Sequence, residues 1–144
     1  MSVRNEPLSC VVVLDDDLWR SFSTKRFLRH LDGVMARVIL ASRWIHAMKW
    51  IGSDSADILL VRDDTLRRVA PSLIEDLRWH ESAHGHRRHP VLLLTDELQQ
   101  EERPKFDGVL HLTGDAYVIA SELNYWLANS TSIRWLPTGD VRHI

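Results

Sequence analysis

Cysteine is nearly absent from this chain: one residue in 144, Cys10. A single thiol excludes an internal disulfide and any metal site built from several cysteines, and it suits a reducing compartment. Neither sign of charge dominates. Lys and Arg number 18 against 20 Asp and Glu, a formal net charge of −2, so bulk electrostatics gives no reason to expect nucleic acid or an anionic membrane as partner. No apolar run approaches the roughly 20 residues that a membrane span needs. Residues Met1–Ser9 lack the apolar core of a secretory signal, and the expectation is a cytoplasmic protein. Glycine-rich phosphate loops are missing too: there is no G-x-x-x-x-G-K-S/T and no G-x-G-x-x-G, so nothing supports nucleotide binding. Basic residues are dispersed and no helix-turn-helix pattern occurs, so direct DNA binding is not expected. Thr95, Ser82 and Cys10 lack a base for nucleophilic catalysis, and no small-molecule substrate is indicated.

What remains is an ordinary globular composition, 44% hydrophobic and 26% charged, at a length that suits one domain. Six tryptophans are many for this length; most belong in a core, and some suit an interface. The most informative stretch is Asp57-Ile58-Leu59-Leu60-Val61-Arg62. Four consecutive aliphatics between polar ends suit a strand covered on both faces, as in parallel sheets. Similar strands are predicted at Cys10–Leu14, Ala36–Ala41 and Pro90–Thr95, and at Val109–Leu112 within Phe106–Leu112. Helical patterns lie between them. One covers Leu18–Leu31 with Phe27, Leu28 and Leu31 inward, and one covers Arg43–Ile51 with Trp44, Ala47, Met48 and Ile51 on one face. A third runs from Pro71 to about His84 with Leu73, Ile74 and Leu77 inward, and the last covers Asp115–Ala128 with Ile119, Leu123, Trp126 and Leu127. Asp63–Ala70 reads as a charged loop, and Asp96–Lys105 holds at most a brief helix. Residues 129–144 have no clear periodicity. The expected division is a domain over 1–129 and a tail or linker over 130–144.

Strands alternating with helices mean a doubly wound parallel sheet, and with five strands the flavodoxin-like order 2-1-3-4-5 is expected. Ligands then sit beyond the carboxyl ends of the strands. Strand one ends in Asp15-Asp16-Asp17, three carboxylates that repel each other unless a cation or a set of N–H groups stands among them. A helix cap accounts for one aspartate, not three. In the expected order Asp15, Asp16 and Arg62 converge.

An acidic cluster after strand one, an acidic-plus-four-apolars strand three and a threonine closing strand four together resemble the receiver domain of bacterial two-component response regulators, over roughly Cys10–Ala128. The resemblance implies the CheY-like form of the fold and a protein of signal transduction or transcription control. It further implies that Asp15 and Asp16 match the Mg²⁺-holding pair and Thr95 the hydroxyl that contacts a phosphoryl group. Arg62 stands where the phospho-accepting aspartate belongs, and Leu112, or Thr113 one place on, stands where a lysine belongs. Val109 replaces the usual aromatic of strand five, and the segment after Thr95 is short, so the fourth helix is reduced. Arginine has no nucleophilic carboxylate and cannot form an acyl phosphate. The economical reading makes Arg62 a permanent substitute for metal and phosphate, paired with Asp15 or Asp16. Asp63 keeps phosphorylation possible only where the strand ends early or bulges, because one step along a strand reverses the face.

A different motif competes. His80-Glu81-Ser82-Ala83-His84 is a literal H-E-x-x-H, which on a helix can hold Zn²⁺ with the glutamate as general base, as in zinc peptidases. Gly85 follows at once, and a basic helix C-terminus accounts for the surrounding His and Arg without catalysis. The expectation is therefore a non-enzymatic, phosphorylation-independent module with no cofactor and no bound metal, acting on a regulatory protein partner or as a homodimer. The candidate contact surfaces are Tyr117, Tyr125 and Trp126 with Trp135 in the tail, and Leu18, Trp19 and Phe22 on the first helix. The alternatives are a zinc-dependent hydrolase using His80, Glu81 and His84, and an unconventional phospho-receiver using Asp63.

Overall fold

A computed structural model describes residues 9–17, 26, 29, 36–53, 55–95, 106–112 and 115–139, with backbone alone for 116 and 130–139. In chain order the elements are β1 (Ser9–Leu14), β2 (Ala36–Ala41), α1 (Trp44–Ile51), β3 (Ile58–Arg62), α2 (Asp63–Val69), α3 (Leu73–His84), β4 (Val91–Thr95), β5 (Gly108–His111) and α4 (Ala116–Gly139). The strands form one sheet in the order β2-β1-β3-β4-β5, every pair parallel. This is the expected doubly wound order. The helix expected at Leu18–Leu31 lies outside the described residues apart from Arg26 and Arg29, which are helical. The short segment Asp96–Lys105 also lies outside them.

The central strands have no exposed face. Every residue of β3 and β4 is buried, and alternation divides their side chains between two cores. Val12, Leu14, Leu59, Val61 and Val91 pack with Ala47 and Ile51 of α1 and with Leu73, Ile74 and Leu77 of α3. Val11, Val13, Ile58, Leu60, Leu92, Leu94 and Leu110 pack with Ile119, Leu123 and Leu127 of α4. Burial of each such side chain contributes on the order of 1.5–3 kcal/mol, so the two-sided strands dominate the stability.

Two elements depart from the sequence reading. Asp63–Val69 is a helix, not a loop. It has no apolar stripe, but Asp63 and Asp64 occupy its first turn and Arg67 and Arg68 its last, which matches the helix dipole at both ends. Asp64 and Arg67 also pair at 2.7 Å across one turn. The last helix runs to Gly139, past the end expected at Ala128. No proline or glycine occurs between Ala116 and Leu136 to stop it. Its start is capped by Asp115, whose Oδ1 accepts the Tyr117 N–H at 2.7 Å.

Charges are gathered at the amino edge of the sheet, where the strands begin. Asp57 Oδ2 accepts the Cys10 N–H at 2.8 Å and Oδ1 accepts from Arg87 at 3.0 Å, tying β1 to the link before β4. Glu81, 4% exposed, accepts from the His89 ring Nδ1 at 2.6 Å, the His89 N–H at 2.8 Å and Arg78 at 2.9 Å. Arg78 reaches on to Asp107, which accepts the Val91 N–H at 2.8 Å and pairs with Arg88 at 2.7 Å. Burial raises the Glu81 pKa, but the bonds from His89 and then Arg78 outweigh it and hold the carboxyl below its ordinary value of 4.5. Glu81→Ala leaves His89 and Arg78 without their acceptor. It is expected to lower stability by about 3–5 kcal/mol in urea unfolding, with Glu81→Gln intermediate. A Glu81→Ala midpoint close to the parent's would show that this network does not fix the edge.

Candidate functional site

The opposite, carboxyl edge holds the aspartates. Strand register puts β1 beside β3, with Leu14 opposite Val61, so Asp15 and Arg62 follow at the same level. Between β3 and β4 the last matched pair is Arg62 with Leu94, and the next residues along are Asp63 and Thr95. β3 ends at Arg62, as expected, and α2 begins at Asp63, so Asp63 meets the end of β4 from the first turn of a helix. Its carboxylate is 5% exposed, accepting the Thr95 hydroxyl at 2.7 Å through Oδ2 and the Asp64 N–H at 2.7 Å through Oδ1. Thr95 is fully buried.

Arg62 is 7% exposed and lies 3.6 Å from Asp64. The guanidinium on Asp16 belongs to Arg68 of α2. Its Nη2 donates to Asp16 Oδ1 at 2.6 Å and its Nε to Oδ2 at 3.3 Å, a two-pronged contact. Thr65, with no exposed surface, supports the same aspartate: its hydroxyl donates to Asp16 Oδ1 at 2.7 Å and accepts the Asp16 N–H at 3.0 Å. Asp16 thus receives a cation from within the chain, Arg68, six residues beyond Arg62. Burial alone raises the Asp16 pKa. The bonds from Arg68 and Thr65 and the Arg68 charge outweigh it, and the carboxyl stands below its ordinary value of 3.8.

Asp15 is 4% exposed, its Oδ1 accepting the Asp17 N–H at 3.0 Å while its Oδ2 is buried without a hydrogen-bond partner. That orphaned oxygen invites a cation, and the neighbouring donors decide whether Mg²⁺ fits. Mg²⁺ needs near-octahedral oxygen coordination and keeps several waters. Asp16 is already engaged by Arg68 and Thr65, and both Asp63 oxygens accept hydrogen bonds. Among the described residues no three His, Cys, Asp or Glu side chains stand as a ready metal-binding group. The residues therefore do not fit the Mg²⁺ that the resemblance implies. Leu112, at the lysine position, is 2% exposed, packs against α4 and donates its N–H to the Thr95 carbonyl at 2.9 Å. A cationic side chain there would be buried in a hydrocarbon core.

The H-E-x-x-H residues lie at the far edge, on the last turns of α3. Glu81 is fully committed to His89 and Arg78, and His80 Nε2 lies 2.9 Å from the Gly52 carbonyl. A general base needs a free carboxylate facing the metal. This one is locked into the edge of the sheet.

Of the contact candidates, Tyr117 and Tyr125 are 79% and 63% exposed on α4 and flank a shallow groove with Val118, Ser121, Glu122 and Trp126. Trp126 is partly buried and packs on the second core, with Gly108 so close that a β-carbon there would stand 3.1 Å from the indole. Leu18, Trp19 and Phe22, and the side chain of Trp135, lie outside the described residues. Among the described residues no helix is long and apolar enough to cross a membrane. The sequence reading missed Thr65 and Arg68 because it treated α2 as a loop. The acid-first, base-last order of Asp63-Asp64 and Arg67-Arg68 was the available signal.

No family model and no curated protein matches the sequence. Solved structures do match. The signal receiver domain of an HD domain-containing protein from Pseudomonas fluorescens Pf-5 superposes with a TM-score of 0.68 at 13% identity, over 92% of this chain and 96% of that one. The signal receiver domain of a putative LuxO repressor protein from Vibrio parahaemolyticus gives 0.67 at 7% identity, over 89% and 96%. The chemotaxis response regulator CheY4 of Vibrio cholerae gives 0.61 at 16%, over 83% and 99%. These likenesses show that the chain has the receiver-domain fold over nearly the full length of each domain.

The Asp16 pKa gives the acid behaviour a sign. A depressed folded pKa stabilises fully above the unfolded value, and that contribution is lost as pH falls through the folded pKa. Arg68→Ala is therefore expected to be less stable than the parent at about pH 7, with the gap closing below about pH 4. Urea midpoints of the two proteins across that range test this; a gap independent of pH would show that the charge pair is not its source.

Proposed function

We propose that this chain is a phosphorylation-independent regulatory module with a receiver fold, acting by contact with a protein partner or a second copy rather than by catalysis. One observation carries the reading: the guanidinium of Arg68 is seated on Asp16, the residue matching one of the metal-holding pair, at 2.6 Å. A cation supplied by the chain needs no kinase and no metal to arrive. The leucine at position 112 supports the same reading, because no cation follows β5 to pair with a phosphoryl group. The exposed tyrosines of α4 are the surface through which such a module would engage its partner. In this reading the receiver-like domain ends near residue 129, and the chain beyond it, into which α4 continues as far as Gly139, serves as a tail or linker.

A second reading has one observation in its favour. Asp63 is a buried carboxylate joined to the strand-four hydroxyl, the pairing a phospho-acceptor would make. Against it stand the engaged Asp16 and the apolar Leu112. Incubation with a small-molecule phosphodonor and Mg²⁺, followed by intact mass measurement, separates the two. The first reading expects no phospho-adduct on the parent or on Asp63→Asn. An adduct on the parent that disappears in Asp63→Asn would establish the second.

A further inference from the structure

We propose that the outer edge of β2 is a docking site for an extended acidic peptide of a protein partner, which joins the sheet as an added strand. The strand register fixes which backbone groups are open. Leu14 is matched with Ala41, and the Asp15 N–H donates to the Ala41 carbonyl at 3.0 Å. The N–H and C=O of one strand residue point the same way, and successive residues alternate. Arg37, Ile39 and Ala41 therefore direct theirs at β1, while Ala36, Val38 and Leu40 turn theirs outward. β2 ends the sheet order, and among the described residues no strand lies beyond it.

Open sheet edges are ordinarily blunted by proline, a bulge, an inward-pointing charge or short length. β2 has none of these. It is six residues long, like β1, it pairs with β1 without a break in register, and it contains neither proline nor glycine. Alternation divides its side chains. Ile39 and Ala41 pack on the first core, and Ala36 and Val38 on the second. Arg37 shares the face of Ile39, is exposed, and holds its guanidinium 5.7 Å from the centre of the Trp50 ring of α1. Leu40 shares the face of Val38 and is 49% exposed. The other edge of the sheet is shorter: β5 has four residues and begins at Gly108.

The charge around this edge argues for an acidic occupant. From Ala36 to Gly52 the chain carries Arg37, Arg43 and Lys49 and no carboxylate, although the whole sequence has a net charge of −2. All three cations are exposed. The carboxylates at the ends of neighbouring strands do not offset them: Asp57 is buried and paired with Arg87, Asp16 holds Arg68, and Asp15 is buried. A second copy brought edge to edge would set these cations against their own kind, whereas an acidic strand meets them with opposite charge. The period of two then gives the partner its pattern, with carboxylates on the face of Arg37 and apolar side chains against Val38 and Leu40. Backbone pairing supplies affinity, and the alternating side chains select the partner. The site does not depend on how the aspartate cluster is read, and it is distinct from the tyrosines of α4, which packs against β3 and β5.

Titration of the ¹⁵N-labelled full chain with a short blocked peptide of alternating glutamate and valine tests the proposal, with alternating lysine and valine as control. Saturable shifts and slowed hydrogen exchange are expected at the Val38 and Leu40 N–H groups. Those of Arg37 and Ile39, already directed at β1, are expected to hold steady. Arg37→Glu is expected to weaken binding about tenfold or more. Methylating the peptide's backbone nitrogens at alternate residues leaves the protein untouched; one frame is expected to abolish binding and the other to retain it. Equal binding of the lysine peptide, equal effects of the two methylated frames, or no saturable response at Val38 and Leu40 would overturn the proposal. Slowed exchange there that grows with protein concentration alone would make a second copy the occupant and overturn it as well.

Discussion

A strand buried on both faces has nowhere to put charge except its ends, and β3 and β4 are buried at every position. The rest of the molecule follows from that constraint. The aliphatic run Ile58–Val61 feeds two cores at once, and the polar residues that bound it are pressed to opposite edges of the sheet. At the amino edge Asp57 is paired with Arg87, and Glu81 joins His89 and Arg78. These bonds satisfy buried charges that would otherwise cost several kcal/mol each. At the carboxyl edge Arg62 and Asp63 arrive together with Asp15, Asp16 and Thr95. One edge is a structural seam, and the other gathers the residues of the candidate site.

What that chemistry is depends on which cation neutralises the aspartates. In the reading the resemblance implies, a metal ion and a phosphoryl group come and go, and the site is a switch. Here the cation on Asp16 is covalently part of the chain, so its local concentration never changes. Surface ion pairs add little to stability, and the significance of Arg68 lies elsewhere: it occupies the carboxylate that a metal would need. Under the proposed reading the replacement is partial, since Asp15 Oδ2 is buried without a hydrogen-bond partner. One charge on Arg68 does not reproduce the two of a divalent ion with its own shell of water.

The fold was legible because its strands are short apolar runs with polar stops. Cys10–Leu14, Asp57–Arg62 and Pro90–Thr95 each differ from the observed strand by one residue at the start. α2 was not legible, since Leu66 is its one large aliphatic besides Val69 and no apolar period exists to find. That omission hid Thr65 and Arg68, and with them the partner of Asp16. Arg62 drew attention because it stands at the acceptor position of a linear pattern. A linear pattern does not say which of two adjacent residues ends the strand; here the helix begins one residue on and Asp63 meets Thr95. Glu81 looked catalytic in one dimension, and its ties to His89 and Asp107 by way of Arg78 join parts of the chain that only the fold brings together.

The central claim is that the chain supplies its own cation to the acidic cluster, and Mg²⁺ affinity tests it most directly. Backbone amide shifts of Asp15, Asp16 and Asp63 are to be followed during Mg²⁺ titration of the parent and of Arg68→Ala. The account predicts no saturable response of the parent at millimolar Mg²⁺ and a response gained when Arg68 is removed. Saturable Mg²⁺ binding by the parent, undiminished by the presence of Arg68, would contradict it.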